Sequence, residues 1–294
     1  MPEGPEVQLV LEGLLPFVGK HVKKCMFTPL ATRYPRYSDQ KYSPIILNGQ
    51  ELKRIERRGK FLVFFFSGME DILVLNHLGM SGSWQRFESF AELSKNAEEP
   101  KLKYSKVVIE FTDRSLLVFC DTRNFGRFLI AKGEPELDQL TPSLKKVGPD
   151  GFQISGNVLR ERIMLKKSPI GEVLLDQRTI SGVGNIYKSE SLWRAKISPL
   201  VPACDLTESE TFLLAESIRN TLQQAYQDGG SSIQDFTSAK GEVGRAQEWH
   251  AVYGREDDPC QTCGTAILRL IQKSRSTFYC PNCQQKTEKQ SQPP

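Results

Sequence analysis

Two places in this 294-residue chain gather side chains that could do chemistry. The first is the opening stretch Met1-Pro2-Glu3-Gly4-Pro5-Glu6. Removal of the initiator Met, common before a small residue, leaves Pro2 as a secondary amine. A free α-amino group titrates near ~8, far below lysine, so a useful fraction is unprotonated at neutral pH. Secondary amines condense with carbonyl-type carbons to give iminium ions, which is nucleophilic catalysis of the Schiff-base kind. Glu3 and Glu6 stand one helical turn apart, so one carboxyl could act as a general acid beside the amine. Taken alone, the same residues read better as a helix start, with Pro in the first turn and glutamates complementing the helix dipole.

The second place is Cys260-x2-Cys263-x16-Cys280-x2-Cys283. Two CxxC pairs at this separation have the spacing of a four-cysteine zinc site, each pair putting two thiolates on one tight knuckle. A redox reading of the pairs lacks the surrounding βαβ pattern it needs. A catalytic zinc wants imidazole ligands and an open position, and the chain has only His21, His77 and His250. One structural Zn2+ is therefore expected. Cys25, Cys120 and Cys204 are scattered, and without a leader seven cysteines argue against disulfides.

Lys and Arg number 39 against 35 Asp and Glu, a net charge of +4, too mild to demand a polyanion partner. The distribution is more informative. Residues 51–60 hold five basic and two acidic side chains, residues 151–200 eight against four, and residues 201–250 three against eight. Such basic stripes fit nucleic acid, and solvated helix faces fit them equally well. No window of about 18 uncharged apolar residues exists to span a membrane. Only two residues precede Glu3, which leaves no basic n-region for a secretory signal, so a cytoplasmic protein is expected.

The elements that must position these groups follow from periodicity. Val7, Val10, Leu11, Leu14 and Leu15 share one helical face, predicting a helix over residues 5–18. Residues 51–132 read as β: Phe61–Phe66 and Ile72–Leu75 flank a turn at Ser67-Gly68-Met69-Glu70, and Val107–Phe111 and Leu116–Phe119 flank Thr112-Asp113-Arg114-Ser115. Short strands at this spacing predict a sandwich or barrel. Residues 133–151, rich in Pro, Gly and charge, read as a linker. Helices are predicted over 157–166, 170–179, 185–195 and 207–228, the last opened by a Thr207/Glu210 capping box and closed by Gly229-Gly230. Gly182-Val183-Gly184 breaks two helical segments, either as a helix–turn–helix element or as a plain loop. Two short strands, Ile267–Ile271 and Thr277–Tyr279, are expected around the cysteines.

Beyond Pro2 and its neighbours, several further runs bear on identity: Arg57-Arg58-Gly59-Lys60, His77-Leu78-Gly79-Met80-Ser81-Gly82, Asp121-Thr122-Arg123-Asn124-Phe125-Gly126, Gly182-Val183-Gly184-Asn185-Ile186-Tyr187-Lys188-Ser189-Glu190 and Ser274-Arg275-Ser276-Thr277-Phe278-Tyr279-Cys280. With Met1-Pro2-Glu3-Gly4-Pro5-Glu6-Val7 and the four cysteines, in this order and over nearly the whole chain, the sequence resembles the formamidopyrimidine-DNA glycosylase / endonuclease VIII family of base-excision repair enzymes. The resemblance implies an α+β fold. An N-terminal catalytic β-sandwich would cover residues 1–134, and a linker 135–151. A helix-two-turn-helix DNA-binding domain would cover 152–250 and a four-cysteine zinc finger 251–285, with a disordered tail over 286–294 and DNA in the cleft between the domains.

The resemblance also implies roles. Pro2 is the nucleophile, Glu3 the proton donor that opens the sugar, Lys60 the lysine of β-elimination, and Arg275, in the connection between the finger strands, the arginine of δ-elimination and phosphate contact. Without the family, Lys60 and Arg275 are equally well read as a charge before an edge strand and a hairpin-tip charge. Chemistry at C1′ requires the nucleotide to leave the stack, and Met80, Arg123 and Phe125 match the positions that fill the void. Asn185, at the start of its helix, matches a phosphate ligand, with Lys166 and Lys167 adding charge. The loop from Ser238 to Arg245, with Lys240, lies where the oxidised-purine branch covers the flipped base.

Three positions depart from the family pattern: Asn124 for an arginine, Tyr104 for a histidine that touches DNA, and Gly171 for a basic residue. They bear on DNA affinity more than on catalysis. The expected protein is a monomeric bifunctional glycosylase and abasic-site lyase, acting on double-stranded DNA that contains oxidised bases or abasic sites. Oxidised purines are favoured over oxidised pyrimidines as substrate. A lesion-binding zinc protein without turnover is the competitor from another class.

Overall fold

The fold is that of a computed structural model, which describes residues 2–38, 40–68, 71–232 and 243–285. The chain divides into two compact units. One holds the chain up to Lys146 and also Ala225–Gln247; the other holds Val147–Gln224 and the chain from Glu248 onward.

The first unit opens with α1 (Gly4–Leu14), which buries Val7, Val10, Leu11 and Leu14. The helix predicted to reach residue 18 stops at Leu14 and tightens into a 3-10 turn over Leu15–Phe17, because Pro16 offers no backbone donor to continue it. After it come β1 (Val22–Phe27), the short α2 (Pro35–Ser38), β2 (Leu52–Arg58), β3 (Phe61–Phe66), β4 (Ile72–His77), β5 (Gly82–Phe87), α3 (Phe90–Lys95), β6 (Ser105–Phe111), β7 (Leu116–Asp121) and β8 (Arg127–Lys132). The strands make two antiparallel four-stranded sheets, ordered β1-β6-β7-β5 and β2-β3-β4-β8. Inward residues of both sheets join one apolar cluster with α1. Trp84 sits at its middle, its ring 5.6 Å from Phe64, 5.2 Å from Phe119 and 6.4 Å from Phe128. Its indole N–H is satisfied by Asn76 Oδ1 at 3.0 Å, so the one polar atom of the ring costs nothing to bury. This is the expected β-sandwich. Residues 133–145, read as connecting chain, instead carry α4 (Gly133–Leu140) and α5 (Pro142–Lys145).

The second unit contains α6 (Gly156–Ile163), α7 (Ile170–Val173), α8 (Asn185–Arg194), most of α9 (Glu208–Gln227) and the hairpin β9 (Leu268–Gln272) with β10 (Arg275–Tyr279). Thr207 and Glu210 form the expected capping box: the Glu210 N–H donates to Thr207 Oγ1 at 3.2 Å and the Thr207 N–H to Glu210 Oε2 at 2.8 Å. The helix predicted over 170–179 is a single turn. Beyond it, side chains capture the backbone instead: Asp176 Oδ1 accepts the Arg178 N–H at 3.0 Å, and Gln177 brackets the glycine turn through the Gly182 N–H (3.0 Å) and the Val183 carbonyl (2.7 Å). The hairpin turn is Lys273-Ser274, both with positive φ, and Arg275 pairs with Gln272. Arg275 is thus the first residue of β10, one position past the connection where it was expected. Among the described residues no helix is long and apolar enough to cross a membrane.

Candidate active site and nucleic-acid interface

In the first unit Pro2 and Glu3 are buried at the start of α1; Met1 lies outside the described residues. Glu3 is the N-cap of that helix and Glu6 its third residue. The two carboxylates, equivalent in sequence, are distinct in place. Glu6 Oε2 accepts the Glu3 N–H at 2.7 Å and Oε1 accepts the Ser231 N–H at 2.8 Å. With both oxygens engaged by backbone donors, Glu6 is a bracket between α1 and the chain after α9. The Glu3 side chain in turn accepts the Glu6 N–H, the reciprocal half of a capping box.

Lys60 is buried in the two-residue turn joining β2 to β3. Arg57 ties that turn to α1, donating to Gln8 Oε1 at 2.9 Å and to the Gly59 carbonyl at 3.0 Å. The same guanidinium thus fixes the hairpin bearing Lys60 against the helix that Pro2 and Glu3 lead into. His77 follows on β4, cross-strand from Phe61 with the rings 4.9 Å apart. Burial pushes its imidazole down to about 4, aided by the charges of Lys60, Arg127 and Arg36. It is neutral at neutral pH, with the Gly79 N–H donating to Nδ1 at 3.0 Å, which places the ring proton on Nε2.

Met80, Arg123 and Phe125 sit on two loops that touch. A Cβ on Gly79 would lie 2.5 Å from the Gly126 nitrogen, so only glycine permits this approach. The fully buried Asp121 fastens the loops: Oδ1 accepts the Ser81 hydroxyl at 2.9 Å and Oδ2 the Gly126 N–H at 2.6 Å. Ser81 Oγ in turn accepts the Arg123 N–H at 2.9 Å, and Arg36 donates to the Phe125 carbonyl at 2.8 Å. From this frame Met80 (38% exposed) and Phe125 (48%) present apolar surface to solvent, with the Arg123 guanidinium 5.6 Å from the Phe125 ring. Sequence reading chose the three outward side chains and missed Ser81, Asp121 and Arg36 beneath them. Tyr104 closes the 3-10 turn Pro100–Tyr104 and is 42% exposed. Asn124 takes a positive φ of 58°, a conformation asparagine tolerates better than most side chains.

Lys240 lies outside the described residues, as do residues 233–242 generally. The neck of that loop is described. The Arg245 N–H donates to the Asp228 carbonyl (2.8 Å), the Ala246 N–H to the Gly230 carbonyl (3.0 Å) and the Gly244 N–H to Ser232 Oγ (2.9 Å), beside the Ser231 bond to Glu6.

In the second unit Asn185 is the first residue of α8, capped by Gly184. Its amide Nδ2 donates to the Ser276 carbonyl at 2.6 Å, so the phosphate candidate is wired to the strand that carries the exposed Arg275. Lys166 lies 3.9 Å from Asp176, which offsets part of its charge; Lys167 is exposed. Gly171 has a packing reason: its Cβ position is 2.2 Å from Gln272 Oε1, and a basic side chain there would displace Gln272.

The four cysteine sulfurs lie within 4.8 Å of one another, with Cys260 to Cys283 at 3.8 Å and Cys263 to Cys280 at 3.5 Å. A thiolate tetrahedron about 2.3 Å from zinc has edges of about 3.8 Å, so the donor set fits one Zn2+ with no open position. The ion is structural. Among the described residues, the buried cluster around it is Val252, Cys260, Ile267 and Cys280, with Trp193 and Phe278 half-buried against it, little apolar surface to hold the finger without metal. Its entry is pinned to α8 by Glu190, which accepts the Ala251, Val252 and Tyr253 N–H groups at 2.9, 3.1 and 2.8 Å.

Comparison with known proteins now decides the family. Residues 1–128 match the model of the formamidopyrimidine-DNA glycosylase N-terminal domain, residues 147–237 that of its H2TH domain, and residues 257–286 that of the zinc finger found in FPG and IleRS. The formamidopyrimidine-DNA glycosylase of Methylobacillus flagellatus is 39% identical over 289 residues, spanning 97% of each chain. That of Bacillus subtilis is 34% identical over 97% of this chain and 100% of its own. The chain belongs to the formamidopyrimidine-DNA glycosylase family. Among solved structures, the Lactococcus lactis glycosylase in complex with abasic-site DNA is similar at 31% identity and a TM-score of 0.80, covering 97% of this chain and 100% of that one. The Thermus thermophilus glycosylase gives 32% identity, a TM-score of 0.79 and coverage of 96% and 98%. The family's architecture of sandwich, helical domain and four-cysteine finger is the one expected from sequence.

Proposed function

We propose that this chain is a bifunctional glycosylase and abasic-site lyase of base-excision repair, acting as a cytoplasmic monomer on oxidised purines in duplex DNA. The observation that carries the reading is the corner at α1, where Pro2 and Glu3 are buried together and Arg57 ties the Lys60 turn to the same helix. After loss of Met1, the Pro2 nitrogen attacks C1′ of a flipped nucleotide while Glu3 protonates the sugar ring oxygen. The ring opens, the base departs carrying the proton that the Pro2 nitrogen sheds, and a carbon–nitrogen double bond forms between Pro2 and C1′. That iminium acidifies the C2′ protons. Loss of one, with Lys60 in the role of proton acceptor, expels the 3′ phosphate; a second elimination, aided by Arg275 at the phosphate, expels the 5′ one. Water then releases Pro2.

Met80, Arg123 and Phe125 fill the hole left by the flipped base, offsetting an unstacking cost of a few kcal/mol. Asn185, Lys166, Tyr104 and Lys240 contribute DNA contacts in this reading. The zinc finger is a rigid support for Arg275, and no chemical step passes through the ion. Excision assays on duplexes carrying 8-oxoguanine or thymine glycol test the proposal. Faster release of 8-oxoguanine is expected, and faster release of thymine glycol would move the chain to the oxidised-pyrimidine branch.

A further inference from the structure

Lys188, one turn into α8, is fully buried, although a lysine normally keeps its ammonium in water. Its Nζ donates to Thr277 Oγ1 at 2.6 Å and to Asn185 Oδ1 at 3.0 Å. From Thr277 the path continues inward: its hydroxyl donates to Gln272 Oε1 at 2.9 Å, and Gln272 Nε2 donates to the Pro199 carbonyl at 2.9 Å. From Asn185 it returns to the hairpin through the Ser276 carbonyl, the residue next to Arg275. Thr277 and Gln272 are buried as well. A closed ring of polar groups therefore joins the first turn of α8 to both strands of the finger hairpin, with one ammonium at its hub.

Burying an ammonium carries a large desolvation penalty before its hydrogen bonds are counted, and an apolar side chain would fill the same space without it. What the ammonium supplies is direction. It can only donate, so it forces the Asn185 carbonyl inward and leaves the amide nitrogen facing the hairpin. It likewise makes Thr277 an acceptor toward α8, which commits the hydroxyl proton to Gln272. The rotamers of Asn185 and the register of β10 are then set together.

We propose that Lys188 is a positioning residue that locks the phosphate contact at Asn185 and the elimination arginine Arg275 into one rigid pair, so that the second elimination follows the first. This rests on the lyase reading given above. The test is the product pattern of the full-length zinc-loaded protein on abasic-site duplex, resolved into β-product and β,δ-product. Lys188→Met keeps the stem and removes the ammonium; Thr277→Val removes one hydroxyl at nearly constant volume; Thr277→Ser keeps the hydroxyl.

For Lys188→Met the ratio of β,δ- to β-product should fall ~10-fold, the scale of a lost charge-assisted hydrogen bond, with KM rising more than kcat falls. Thr277→Val should shift the ratio in the same direction by a smaller factor, and Thr277→Ser should restore the wild-type ratio. A merely structural role would lower the unfolding midpoint of all three without changing the ratio, and that result overturns the proposal. If Lys188→Met does not fold, Thr277→Val against Thr277→Ser decides alone, an unchanged ratio in both being the overturning result. Wild-type protein run alongside separates the two layers: if it makes neither β- nor β,δ-product, the lyase reading itself fails; if it cleaves and the variants match its ratio, only the role of Lys188 falls.

Discussion

The helix that Pro2 leads into is anchored by carboxylates, whereas the hairpin that carries Arg275 is anchored by thiolates and an ammonium. At α1, Glu6 gathers backbone donors from Glu3 and Ser231, and the whole corner stands on a sandwich core that runs from Val7 to Ile130. At the finger, the buried apolar cluster is a few residues, and the geometry comes from four sulfurs and the ring through Lys188. The position of Pro2, the proposed nucleophile, follows from ordinary folding of its unit, while that of Arg275, the proposed phosphate-side arginine, depends on parts that can be removed without melting a core. Chemistry at the sugar and processing of the phosphates should therefore be separable.

The sharpest break is at Glu3. Glu3→Gln should lower base excision by ~100- to 10,000-fold, the usual worth of a positioned general acid, measured as single-turnover release of 8-oxoguanine. A change below threefold would assign the proton donor elsewhere. Stripping zinc with a strong chelator comes next: affinity for duplex should collapse while the near-ultraviolet signal of Trp84, at the core of the first unit, persists. Retained affinity in zinc-free protein would show that the finger is not needed for the grip.

Glu6→Gln should destabilise by ~1.5–3 kcal/mol, because an amide cannot accept from both backbone donors. Denaturant unfolding reads this, and an unchanged midpoint would remove Glu6 as the bracket. Phe125→Ala should cost ~1–3 kcal/mol of binding to lesion duplex, the scale of one stacking contact, and should leave cleavage of single-stranded abasic DNA nearly unchanged. Equal losses on both substrates would contradict void filling.

The smallest effect is on stability against pH. His77 is held near 4 in the fold against about 6.5 when unfolded, so the unfolded chain binds the extra proton and stability falls as pH drops through that window. The loss should be ~1 kcal/mol by pH 6 and grow towards pH 4; a His77→Asn variant should lose this part of the dependence, and identical pH profiles would refute the assignment.

Much of this was legible in the residues. The run Phe61–Phe66 is β3 to the residue, and the cysteine spacing foretold a cluster that fits zinc. The outward side chains of the two touching loops were also readable, since an apolar Met80 between glycine and serine has no core to join. What stayed hidden depends on distant pairing. β1 carries a bulge between Val22 and Lys24 that spoils its alternation. α7 ends early because Asp176 and Gln177 capture backbone groups that a helix would have used. Asp121 fastens Ser81 across forty positions of sequence, and Lys188 reads as one more surface charge until the hairpin closes over it.

The central claim is a transient carbon–nitrogen bond between the Pro2 nitrogen and C1′ of the damaged nucleotide. Borohydride reduction of the protein mixed with an oligonucleotide bearing 8-oxoguanine or an abasic site, followed by mass mapping of the cross-linked peptide, tests it most directly. The account predicts one adduct, on an N-terminal peptide that begins at Pro2. An adduct on Lys60 or another lysine, or efficient excision by protein that retains Met1, would contradict it.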